Sequence, residues 1–224
     1  MRKLTLWILF CVLSIYFAVG WVRTNTSLFL PPILELSDCE LPCWNKIKIG
    51  QTKMPEFIEI VGKLDFVDKE TIRSRKFSDE FPVVVSFIIQ PSKFNLSQIY
   101  GNALFRDNNL IYFNLSGNLN TKMESLVNKF GEPDFVMLTG WRGFPGNSKL
   151  FNYITFVNLQ KGIGFGSTLE RKGSILTKEI SIDYFYLFDP GYFEELSDEG
   201  RFSNEEYSYP WNGYGNIDEK YPSK

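Results

Sequence analysis

Two cysteines, a scatter of carboxylates, a run of alternating glycines and an aromatic tail are the residues here whose types and spacing could do chemistry. Three residues, Pro42 among them, separate Cys39 from Cys43. In an oxidising compartment their simplest fate is a mutual disulfide, worth about 2 kcal/mol because the loop is so short. Redox exchange is the sharper alternative, but it commonly uses two intervening residues at a helix start. Asp183 and Asp189 could be read as a pair of glycosidase acids, although nothing in the sequence sets their separation. Glu194, Glu195, Asp198, Glu199, Glu205 and Glu206 could attract calcium, yet their spacing matches no calcium loop. Gly162-Ile163-Gly164-Phe165-Gly166 has no lysine or helix start after it, so it reads as a hairpin and not as a phosphate cradle. Tyr207, Tyr209, Trp211 and Tyr214 could offer a stacking surface to sugars or to a protein, or fold back on the domain as the end of a solvated tail.

The chain of 224 residues contains no histidine. That removes imidazole acid–base catalysis, the Ser-His-Asp and Cys-His arrangements, and the commonest metal ligand. No metal or other cofactor is expected. With 24 basic against 26 acidic residues there is no cationic excess to neutralise phosphates, so nucleic acid is not expected as a partner.

These residues need elements to hold them. Leu4 to Val22 is uncharged and follows Arg2 and Lys3, which predicts a transmembrane helix with the N-terminus cytoplasmic and the remainder extracytoplasmic. Small residues at Ala18-Val19-Gly20 keep a signal peptide cleaved after Gly20 open as the alternative, giving a secreted protein. Neither Cys11 nor Cys39 sits in an acylation motif. Residues 23–38, with Pro31-Pro32, read as a spacer. Beyond it, 44% hydrophobic and 17% aromatic composition fits a sheet-rich core.

Met54, Phe57, Ile58 and Val61 fall on one helix face, with Thr52 as N-cap, Pro55 in the first turn and Gly62 as a left-handed terminator. Shifted by 69 positions, Thr52-Lys53-Met54 meets Thr121-Lys122-Met123, Gly62 meets Gly131, and Asp65-Phe66-Val67 meets Asp134-Phe135-Val136. Met123, Leu126, Val127 and Phe130 renew the face, and Thr121 with Glu124 spells a capping box. Strand-like Phe81–Gln90 returns as Leu150–Leu159. Asp107-Asn108-Asn109 predicts a hairpin turn, and Ile180, Ile182, Tyr184 and Tyr186 share one side of a closing strand. The expected class is α+β: two tandem copies of short helices followed by an antiparallel sheet, over residues 39–115 and 116–189, after residues 1–22 and before an acidic, aromatic tail at 190–224.

The run Ile47 to Leu64, together with Phe130-Gly131-Glu132-Pro133, resembles the helical signature of the β-lactamase-inhibitor-protein-like fold. That fold includes small lipoproteins of the outer-membrane β-barrel assembly machinery, of the SmpA/OmlA type, and a secreted inhibitor of two tandem copies. The Cys39 to Ile47 opening and Trp211-Asn212-Gly213-Tyr214-Gly215 are similar to exported bacterial proteins. The resemblance implies the fold over about residues 44 to 188 and carries over no site residue. The expected function is a noncatalytic, membrane-held protein-interaction module with an unidentified protein partner. An inhibitor of an extracellular hydrolase is the alternative, and a hydrolase using carboxylates alone is a third reading.

Overall fold

In this computed structural model the described residues are 13–16, 34, 42–76, 82–90, 98–140, 151–170, 175–198 and 208–221. The chain divides into two compact units, Met1–Ile33 and Leu34–Lys224. Of the first, residues 13–16 form a helical turn with Leu13, Ile15 and Tyr16 exposed. The rest of the expected span Leu4 to Val22 lies outside the described residues, among which no helix is long and apolar enough to cross a membrane.

The second unit is mostly antiparallel sheet with a few short helices. It opens with a hairpin of β1 (Cys43–Trp44) and β2 (Ile47–Lys48), turned by Asn45 at φ 45° and Lys46 at φ 71°. Two central residues with positive φ match the right-handed twist of a tight hairpin, though Lys46 is a costly residue there. Cys43 is fully buried and disulfide-bonded, while Cys39, its expected partner, lies outside the described residues.

Helix α1 (Met54–Lys63) follows, with Phe57 and Val61 buried as the periodicity predicts. Its caps differ from expectation. Lys53 is the N-cap, and Thr52 is committed elsewhere: its Oγ1 accepts from Lys48 N–H at 2.8 Å and closes the turn before the helix. Gly62 lies inside the helix, which ends at Leu64 in an extended conformation.

Strands β3 (Val67–Arg75), β4 (Val83–Ile89), β5 (Ile99–Arg106) and β6 (Asn109–Lys122) then form a meander. Asp107 and Asn108, both at positive φ, turn β5 into β6 as expected. Helix α2 (Met123–Phe130) buries Met123, Leu126 and Phe130 and ends on Gly131 at φ 82°. Lys122 is its N-cap, and the Thr121 hydroxyl donates to Leu119 O at 3.1 Å, so the capping box does not form.

A second meander follows in β7 (Phe135–Gly140), β8 (Phe151–Asn158) and β9 (Ile163–Glu170), completed after the two-residue β10 (Ile175–Leu176) by β11 (Ser181–Phe188). A 3-10 turn (Pro190–Tyr192), α3 (Phe193–Asp198), β12 (Ser208–Pro210), β13 (Gly215–Asn216) and α4 (Ile217–Lys220) close the chain. The nine-stranded sheet runs β12-β7-β8-β9-β11-β6-β5-β4-β3, so the two meanders meet at their last strands.

Register sorts the side chains. On the inner face Phe87 pairs with Gly101, Ala103 with Phe113, and Leu115 with Phe185. The α1 residue Phe57 meets Phe105 edge-on at 5.3 Å, and Phe130 of α2 meets Phe185 at 6.3 Å. Trp44, at 0% exposure, stacks on Phe113 at 4.7 Å and on Phe87 at 6.3 Å. A Cβ on Gly101 would sit 2.2 Å from the Phe87 ring, which this aromatic cluster pins in place.

Two substitutions test this packing. Gly101→Ala is expected to lower stability by about 1–3 kcal/mol in urea unfolding, since neither ring nor strand can retreat. Lys46→Gly is expected to raise stability by about 1 kcal/mol, by relieving a left-handed lysine.

Candidate functional site

The outer face of the sheet has a different chemistry. In β5, β6 and β11 the apolar inner residues alternate with Tyr100, Asn102, Asn114, Ser116, Tyr184 and Tyr186. Pairing sets these in two rows across the strands: Tyr100 with Ser116 and Ser116 with Tyr184, then Asn102 with Asn114 and Asn114 with Tyr186. The second row continues to Ser86 of β4 and Arg73 of β3. Tyr100 is half exposed, its hydroxyl donating to Gln98 Oε1 at 3.0 Å, and the others are partly buried.

Two glycines decide how the tyrosines lie. Tyr186 pairs with Gly164 and Tyr184 with Gly166, so no side chain of β9 stands between these rings and β8. The Tyr186 ring rests against Gly164, where an added Cβ would come within 3.3 Å, and its hydroxyl bonds to Thr155. The Tyr184 hydroxyl bonds to Thr168 and Tyr153, whose ring meets it edge-on at 5.6 Å. The Tyr184 and Tyr186 rings are parallel within 10° at 6.4 Å. Burial pushes both phenols above the ordinary tyrosine value, with neighbouring tyrosines adding to the rise. They remain neutral hydrogen-bonding groups throughout the physiological range.

The other half of this face is covered. Leu104, Tyr112, Met137, Val157 and Phe188 pack with Leu196 of α3, and Phe193 meets Phe135 at 5.8 Å and Phe188 at 5.5 Å. Arg106 fastens this cover through an ion pair with Glu195 and by lying over the Tyr192 ring.

Comparison with protein families, with curated proteins and with solved structures finds no match to this chain. The reading of the site therefore rests on its own residues.

Most residues singled out in the sequence serve structure. Asp183 Oδ2 accepts from Thr168 N–H at 2.9 Å, and Asp189 Oδ1 accepts from Gly191 N–H at 2.9 Å, so each carboxylate is occupied by backbone. Glu194, Glu195 and Asp198 lie on α3, with Glu199, Glu205 and Glu206 outside the described residues. Among the described residues no group of three or more acidic or cysteine side chains could hold a metal ion. The glycine run is the β8–β9 hairpin, turned at Gly162 with φ 59°.

Of the two readings of the tail, the structure agrees with the one in which its aromatic end folds back on the domain. Tyr207 lies outside the described residues, but Tyr209, Trp211 and Tyr214 are ordered parts of the domain. Trp211 meets Phe156 edge-on at 5.7 Å and stacks on Tyr221 at 6.5 Å, while Tyr214 meets Trp211 at 5.4 Å. The Tyr221 hydroxyl accepts from Asn212 N–H at 3.2 Å and donates to Gly213 O at 3.1 Å. These rings are largely spent on one another.

The outer-face tyrosines, missed as a set in the sequence, had a signal there in the alternation of Tyr112, Asn114 and Ser116 with Phe113 and Leu115. Ile182, expected beside Tyr184, is fully buried where the β6–β11 register shifts.

A spectroscopic titration of the phenols should separate this face from ordinary tyrosines. The folded pKa values of Tyr184 and Tyr186 lie above the unfolded value of 10.0. Above that pH the unfolded chain releases protons that the folded one keeps, so stability falls as pH rises. Absorbance at alkaline pH should show a tyrosine fraction that ionises only with unfolding, smaller in Tyr184→Phe.

Proposed function

We propose that the chain is a noncatalytic protein-interaction module, exported and held at the membrane by residues 4–22, that engages its partner through the outer face of the sheet. The observation that carries this reading is the make-up of that face. Tyrosines give large contact area at low cost in conformational entropy, and Asn, Ser and Thr beside them supply adaptable hydrogen bonds, the combination that serves recognition surfaces in general. Catalysis would need a reactive constellation, and the titratable side chains around Tyr184 on this face are neutral phenols and an aspartate committed to backbone, with Asp68 and Arg73 set apart on β3.

The sheet edges support a face over an edge as the contact. At one side β3 carries exposed Lys69, Glu70, Arg73 and Arg75 and shifts register, and at the other β12 is three residues long and ends on Pro210. Charge, irregularity, short length and proline are the devices that discourage strand addition.

The module is built, in this reading, as two tandem copies of one unit. Each half is a helix followed by four antiparallel strands, α1 with β3 to β6 and α2 with β7, β8, β9 and β11. Met54 and Met123 open the two helices, in keeping with the sequence repeat. A disulfide between Cys39 and Cys43 clamps the entrance to the first unit.

Photo-crosslinking from intact cells tests this function. A photoreactive residue in place of Tyr100 is expected to give a discrete protein adduct, and one in place of Lys63 on the outer side of α1 is expected to give none. An adduct from Lys63 but not from Tyr100, or substrate turnover by the purified chain, would sink the reading.

A further inference from the structure

Over β3, β4 and β5 the outer face joins charge to apolar surface. One row runs from Asp68 through Ile88 to Tyr100, the next from Arg73 through Ser86 to Asn102, and Arg75 stands beside Val84 in a third. Ile88, Ser86 and Val84 are partly exposed and Tyr100 is half exposed. Arg73 and Arg75 are exposed and, two residues apart on an extended strand, stand about 7 Å from each other.

The charge there is one-sided. Residues 67–76 carry Lys69, Arg73, Arg75 and Lys76 against Asp68 and Glu70, in a chain whose net charge is -2. Asp68 is occupied, since Oδ1 accepts from Glu70 N–H and Oδ2 from Gln90 Nε2, each at 3.1 Å. Neither Lys69 nor Arg73 pairs with a carboxylate among the described residues. Arg73 Nη1 donates to Ile72 O at 3.0 Å, which leaves most of the guanidinium donors for a ligand. Protecting an edge from strand addition needs charge of either sign. A bias to one sign beside an exposed tyrosine suits a surface that receives the opposite charge.

We propose that this sector receives an acidic polypeptide segment of the partner, with a carboxylate on Arg73 and an aromatic or aliphatic side chain against Ile88 and Tyr100. The proposal rests on the outer face being the interaction surface and names the chemistry of what that surface meets. A planar guanidinium gives a carboxylate two parallel N–H donors and, being weakly hydrated, gives up its water at small cost. Tyr100 supplies contact area with few rotamers to freeze. Ser86 and Asn102, continuing the Arg73 row, are neutral groups that donate to or accept from the backbone of the segment. Asp79 and Glu80 follow Lys76 in the sequence, so the carboxylate is assigned to Arg73, which is farther from them along the chain than Arg75.

The test uses the full chain in nanodiscs of neutral phosphatidylcholine and follows the fluorescence anisotropy of a labelled peptide in which glutamates are interspersed with phenylalanines. Peptides with glutamine or lysine in place of glutamate, and vesicles containing phosphatidylglycerol, are the comparisons. The glutamate peptide should bind saturably, more weakly as salt rises, and the glutamine peptide should not. Arg73→Glu should weaken the glutamate peptide about tenfold, the scale of one reversed charge at a contact, and should gain binding of the lysine peptide. Lys129→Glu on α2 should change neither. The proposal is overturned if the glutamate peptide does not bind, if the glutamine peptide binds equally, if Arg73→Glu binds as the parent does, or if the chain takes up the anionic vesicles and ignores the peptide. A protein adduct from the Tyr100 position that persists in Arg73→Glu, alongside any of those results, would leave the interaction module standing and remove only the acidic partner.

Discussion

The pairing of β6 with β11 is the constraint on which the sheet depends. Without it the molecule would be two four-stranded meanders, each with an unpaired edge of backbone amides and carbonyls. With it, Leu115 lies beside Phe185 and Phe113 beside Leu187, and the inner face becomes continuous under α1 and α2. The same joint places Asn114 and Ser116 beside Tyr186 and Tyr184, so the outer surface also exists only because the meanders meet. Its contacts are far apart in sequence, which makes it an entropically costly pairing that rewards the chain late in folding.

The aromatic cluster around Trp44 holds the first half against this joint. Trp44 arrives from outside the meander, on a hairpin anchored where Ile49 N–H donates to Pro42 O at 3.1 Å and Gly50 N–H donates to Leu110 O at 2.7 Å. A disulfide at Cys43 fixes the residue next to the tryptophan, so it bears directly on the core as well as on the entrance. The second half relies on a different device at its helix end: Lys161 donates to Phe130 O, and Asp134 Oδ2 accepts from Leu159 N–H at 2.8 Å.

Much of the fold was legible because periodicity reports burial directly. The faces of Phe57 and Val61, and of Met123, Leu126 and Phe130, followed from helical spacing, and the turns at Asp107-Asn108 and Gly162 from residues that tolerate positive φ. The caps were misread because a threonine side chain bonds to whichever backbone group its turn presents. At Thr52 that group is Lys48 N–H, and at Thr121 it is Leu119 O. Gly62 fell inside its helix because the chain exits in extended conformation and needs no left-handed residue. The outer face was hardest to see because tyrosine suits a core and a binding surface equally, and only strand register separates Tyr184 from Phe185. The tail's aromatic end was easier to place, because large rings beside an apolar domain gain by burial: Trp211 packs on Phe156 and Tyr221 as a segment folding back would.

The position of β12 bears on how the protein is made. This strand pairs with β7 through Val136 and Tyr209, and Trp211 behind it bonds through its amide to Asp134 O. The residues that shield one margin of the sheet thus lie far along the chain from β7, which has emerged long before they do. Until they arrive, β7 displays a bare row of amides and carbonyls to its surroundings. A chain cut before Ser208 would carry that display permanently, so closing this margin depends on a segment far along the chain from the strand it covers.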